Sequence, residues 1–118
     1  MTILVVVLDG DVRALVKHIL EGPECHVLAA ANSSEAFDVA SSAEIDLLLT
    51  ELAPLFDGRS IAEQLRLGKP GLPVLYFTDW YGHADFTELE GETILKKPFT
   101  RDELTDAIAA VLRADPEL

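Results

Sequence analysis

Short apolar runs alternate with amphipathic stretches along this chain. Residues 2–8 form a run rich in Ile, Leu and Val, the composition of a strand covered on both faces. The period then changes. Val12, Leu15, Val16, Ile19 and Leu20 share one helical face, with Asp11 ahead of them as the expected cap and Gly22-Pro23 as the stop. Residues 26–31 read as a second strand. Asn32-Ser33-Ser34-Glu35 is a cap with Glu three residues on, and it starts a helix that runs to about Ser42. Residues 46–52 are a third strand with both faces apolar. Residues 54–58 read as a loop and 60–67 as a helix, with Ile61 and Leu65 on one side.

After a turn at 68–73, residues 74–78 form a fourth strand and 93–96 a short fifth one ahead of Pro98. Thr100-Arg101-Asp102-Glu103 is a capping box, and Leu104, Ile108, Val111 and Leu112 line the last helix. Between them, 79–91 has poor helical periodicity and two glycines, which predicts a short or irregular fourth helix. Strict alternation of strands and helices predicts an α/β three-layer sandwich with a parallel sheet and right-handed crossovers. The flavodoxin-like strand order 2-1-3-4-5 follows, with a site at the carboxyl ends of strands 1, 3 and 4.

Composition narrows the picture. A length of 118 residues with 49% hydrophobic positions suits one domain, 1–118, with one core. No apolar run approaches the ~20 residues that span a bilayer, and the opening run lacks the flanks of a signal peptide. The single Cys25 allows no internal disulfide, which suits a cytoplasmic setting, and a half-buried residue is expected there rather than a reactive thiol. A formal charge of −12 disfavours nucleic acid and anionic membranes and leaves protein partners with basic patches. His18, His26 and His83 have no metal-ligand spacing, and no catalytic triad or Gly-rich phosphate loop is visible.

Several segments together resemble the receiver domains of response regulators, the CheY-like superfamily. They are Ile3-Leu4-Val5-Val6, Val12-Arg13, Ile45-Asp46-Leu47-Leu48-Leu49-Thr50, Asp57-Gly58-Arg59, Pro70-Gly71-Leu72-Pro73-Val74-Leu75 and Lys97-Pro98-Phe99. The likeness spans about residues 2 to 113, and its wording is most similar to receivers of hybrid histidine kinases. It implies phosphoryl transfer from a kinase histidine to an aspartate ending strand 3. Two acids ending strand 1 would hold Mg²⁺, with a Thr or Ser ending strand 4 and a Lys before a Pro after strand 5. Metal and lysine would neutralise the transferring phosphoryl group.

Carried over without gaps, the resemblance places the acidic pair at Val7 and Leu8, neither of which can ligate a metal. Glu51 falls at the phosphoacceptor position, Thr78 at the switch hydroxyl and Lys97 at the family's lysine. The loop from Glu51 to Gly58 is one residue shorter than the family's usual spacing. Glu51 and Lys97 sum to zero charge without a metal, so the losses form a coherent set. Two readings of Glu51 stay open: a fixed mimic of the phosphorylated state, or a carboxylate that merely pairs with Lys97. Asp9 is a candidate compensating acid, reached by a one-residue slip, or simply a solvated loop acid. Asp57 precedes Gly58 in a turn. Trp80, Tyr81 and Phe86 are interface candidates on the helix 4 side, or they fold inward.

The expectation is therefore a stand-alone receiver whose phosphorylation chemistry has been dismantled. It would be a binding module of two-component signalling rather than an enzyme, with Mg²⁺ binding absent or weak. Candidate partners are a histidine kinase, a phosphotransfer protein, another receiver or a second copy. Two alternatives remain: a phosphoaccepting response regulator using a different acid, Asp9 or Asp57, or a small-ligand sensor with an apolar pocket opened by Val7, Leu8 and the shortened loop.

Overall fold

The computed structural model describes residues 1–53, 56–78, 93–96 and 99–113. Elements run β1 (Thr2–Val6), α1 (Gly10–Leu20), β2 (His26–Ala30), α2 (Ser33–Ser42), β3 (Leu47–Ala53), β4 (Phe56–Asp57), α3 (Gly58–Gly68), β5 (Val74–Thr78), β6 (Thr93–Lys96) and α4 (Arg101–Arg113). The main sheet is parallel with order β2-β1-β3-β5-β6, the expected 2-1-3-4-5 counted over its five strands. The region 79–91, where an irregular helix is expected, lies outside the described residues, as do Pro54, Pro98 and His83.

Alternation along the strands splits the apolar residues between two cores. Leu4, Val6, Leu48, Val74 and Tyr76 face α2 and α3, joined by Ala36, Ile61 and Ala62. Ile3, Val5, Leu49, Leu75 and Phe77 face α1 and α4, joined by Val16, Leu104 and Ile108. Covering both faces explains why β1 and β3 read as unbroken apolar runs. Burying both sets is the main force holding the three layers together.

Local chemistry sets the helix ends. The Thr100 hydroxyl accepts from the Glu103 N–H at 3.0 Å, and Glu103 returns the bond to the Thr100 N–H at 2.8 Å, the expected capping box. Asn32 caps α2 through the Glu35 N–H at 2.9 Å. Three expectations need correction. The cap of α1 is Asp9 rather than Asp11, because Asp9 has extended backbone and its Oδ1 accepts from the Asp11 and Val12 N–H groups at 2.8 and 3.4 Å. The segment read as a loop at 54–58 contains β4, which turns back antiparallel on the end of β3 and pairs Leu52 with Asp57 and Ala53 with Phe56. The third helix starts at Gly58, two residues before the position expected from its apolar face.

Asp9 satisfies two N–H groups that have no partner within the helix. Asp9→Ala is expected to lower the stability of the domain by about 1 kcal/mol, read by urea denaturation, with Asp11→Ala smaller because Asp11 lies in the first turn.

Candidate functional site

The carboxyl ends of β1, β3 and β5 converge, as the topology requires of a doubly wound sheet. Val6 pairs with Thr50, Thr50 with Tyr76, and Glu51 with Phe77, one residue before Thr78 ends β5. Thr50 and Thr78 are fully buried and Glu51 is 8% exposed. These are the only buried polar or charged residues among the described ones, and all three stand at this end of the sheet. No buried side-chain nitrogen or oxygen among the described residues lacks a hydrogen-bond partner.

The two positions expected to have lost their acids point to different places. Val7 is fully buried, packed in the α1 and α4 core with Val16, Phe77 and Leu104. Leu8 is 62% exposed. The groove found among the described residues, about 610 Å³, lies between α2 and α3 near Ile45 and Leu72, at the other end of the sheet from Glu51. Pro54 and Leu55 of the shortened loop, which would complete the pocket of the ligand-sensor alternative, lie outside the described residues.

Glu51 reaches toward β1. Its Oε1 accepts a hydrogen bond from the Leu8 N–H at 3.3 Å. The Thr50 hydroxyl donates to the Val6 carbonyl at 3.3 Å. Gly58 opens α3 directly against these residues: a Cβ there would overlap the Glu51 carbonyl oxygen and lie 2.8 Å from the Thr50 Oγ1. Asp9 has not slipped into register with the sheet. Its carboxylate is engaged at the N-terminus of α1, as a cap rather than a pocket acid. For Asp57 the structure gives only the backbone, paired with Leu52. Lys97, Trp80, Tyr81 and Phe86 lie outside the described residues.

Arg13, part of the Val12-Arg13 match, is a further residue of the site. Its Nη1 donates to the Val7 carbonyl at 2.8 Å and to the Leu8 carbonyl at 3.0 Å. Nothing in the sequence set it apart from any other arginine on an amphipathic helix. Cys25 is partly buried, and that burial pushes its thiol above the ordinary range, as suits an unreactive residue. His26 rests its Nδ1 3.2 Å from Glu21 on the surface, far in sequence from the buried polar residues. Among the described residues no group of three His, Cys, Asp or Glu could hold a metal ion, and no helix is long and apolar enough to cross a membrane.

The sequence matches the response regulator receiver domain family over residues 3–109. The chain belongs to this family. The receiver is 29% identical over 115 residues to the alkaline phosphatase synthesis transcriptional regulatory protein PhoP of Bacillus subtilis, a match covering 94% of this chain and 48% of that protein. It therefore spans about half the length of the curated relative it matches. Among solved structures it resembles a response regulator receiver domain protein of Clostridium thermocellum, with 26% identity, a TM-score of 0.77 and coverage of 95% and 94% of the two chains. It also resembles response regulator TrrA of Thermotoga maritima, described in complex with Mg²⁺–BeF, at 25% identity, TM-score 0.79 and coverage of 94% and 98%. The chemotaxis protein CheY4 of Vibrio cholerae, at 24% identity, TM-score 0.83 and coverage of 94% and 98%, shares the receiver's fold.

Proposed function

We propose that this receiver acts in two-component signalling as a protein-binding module that does not take up a phosphoryl group by the Mg²⁺-dependent route. The observation that supports this is the state of the strand 1 end. Where the resemblance places the family's two acids stand a valine buried in the core and a leucine facing outward. The carboxylate at the acceptor position accepts a hydrogen bond from the Leu8 amide. Mg²⁺ demands near-octahedral oxygen coordination and gives up its waters reluctantly. One carboxylate and two aliphatic side chains do not meet that demand, so the residues present do not fit the ion.

Without a cation, charge on a transferring phosphoryl group lacks its main stabilisation. A carboxylate lengthened by one methylene also displaces the nucleophile from the acceptor position. What remains is a folded receiver surface with a strongly negative charge, suited to a partner with a basic face. A histidine kinase, a phosphotransfer protein, another receiver or a second copy are the partner classes that this family membership suggests.

The test is incubation with acetyl phosphate and Mg²⁺, followed by intact mass. The expected spectrum shows the unmodified chain alone. A stable adduct of about 80 Da, one phosphoryl group, would overturn the proposal, and mapping it to Asp9 or Asp57 would establish the alternative in which another acid is used.

A further inference from the structure

Backbone polar groups at the end of β1 can be accounted for one by one. The Val6 carbonyl accepts from the Thr50 hydroxyl. The Val7 N–H donates to the Ala30 carbonyl at 3.2 Å. Both the Val7 and Leu8 carbonyls accept from the Arg13 Nη1, and the Leu8 N–H donates to Glu51. Each of these groups has its partner inside the chain, and two of the partners are oppositely charged side chains from α1 and β3.

We infer that Arg13 is the built-in cation of this site, a positioning residue that does the structural work of tying the β1–α1 turn to the end of β3. Two successive carbonyl oxygens converging on one positively charged group is an arrangement that a bound cation would also satisfy. Here the guanidinium nitrogen is delivered from four residues into α1. A cation supplied by the chain's own side chain needs no loading. By drawing both carbonyls toward α1, Arg13 fixes the peptide plane that aims the Leu8 N–H at Glu51. The clamp and the Glu51 contact therefore act as one unit, and the turn is held in a single arrangement without an outside ligand.

This inference rests on the reading of the site as one that does not use Mg²⁺. Amide hydrogen exchange by NMR tests it in the wild-type chain, Arg13→Ala and Arg13→Lys, read at Leu8 with Ile108 in α4 as the reference for whole-domain opening. Local opening and global opening report different free energies, so the ratio of the two rates isolates the turn. In Arg13→Ala the Leu8 amide is expected to exchange at least about tenfold faster relative to Ile108. Arg13→Lys, which retains a charged donor, is expected to fall between, and it is the variant to read if Arg13→Ala does not fold. A Leu8 rate that changes only in step with Ile108 overturns the inference. Phosphoryl uptake by the wild-type chain would instead overturn the reading beneath it, whatever the Leu8 amide does.

Discussion

Val7→Asp is expected to cost about 3 kcal/mol at neutral pH, whereas Leu8→Asp next to it should stay within about 0.5 kcal/mol. The resemblance places the family's acids at both positions, so position alone predicts equal tolerance. Burial decides otherwise. Val7 is fully buried among Val5, Val16, Phe77 and Leu104, while Leu8 is 62% exposed. A carboxyl forced into that cluster stays protonated well above its usual pKa of about 4, because charge is disfavoured in apolar surroundings. The folded state then binds more protons than the unfolded one between those two pKa values, and stability falls as pH rises through that window. Urea denaturation at several pH values should therefore show a Val7→Asp deficit that shrinks in acid and reaches its full size at high pH. Leu8→Asp should show no such dependence. Equal, small effects at the two positions would mean that Val7 is not the core residue described.

Gly58→Ala is the second large effect, about 3 kcal/mol of destabilisation. The added methyl would overlap the Glu51 carbonyl oxygen and crowd the Thr50 hydroxyl. The overlapped oxygen is backbone, so it cannot rotate aside as the end of a long side chain would. Either α3 must lift from β3 or β3 must yield. Gly71→Ala provides the control, since a Cβ there meets nothing within 4 Å, and it should be close to neutral. Because the strained atoms belong to Thr50 and Glu51, Gly58→Ala should also shift the amide resonances of Leu8 and Glu51. A variant as stable as the wild type would show that the approach of α3 to β3 is looser than described.

Most of the fold was legible in the sequence because the strands leave little ambiguity. Residues such as Leu4, Val5, Leu48 and Leu49 are apolar on both faces, and only a covered strand satisfies that pattern. β5 and β6 fall at the expected residues. The exact cap of α1 was harder, since Asp9 and Asp11 are chemically equivalent two residues apart. Only the extended backbone at Asp9 and the direction of its carboxylate separate them. β4 escaped because a two-residue return strand is made by its contact with β3 and carries no periodicity of its own.

At the site, position was legible and contact was not. The apolar run of β1 led to Val7 and Leu8, and the Leu49-Thr50 run of β3 to Glu51; the structure has all three at the carboxyl end of the sheet. That Val7 joins Ile3 and Val5 in the core while Leu8 turns outward continues the alternation of β1 past its last residue. Arg13 was legible only as a match, because an arginine on an amphipathic helix is ordinary until its guanidinium is seen on two carbonyls.

No divalent cation is expected to bind at the tops of β1 and β3. Titration with Mn²⁺ as a paramagnetic substitute for Mg²⁺, followed in an amide NMR spectrum, tests this most directly. The prediction is that Leu8, Glu51 and Leu52 keep their intensities at millimolar metal, as do reference amides in α4. Selective, saturable broadening of those three signals, reversed by excess Mg²⁺, would contradict it.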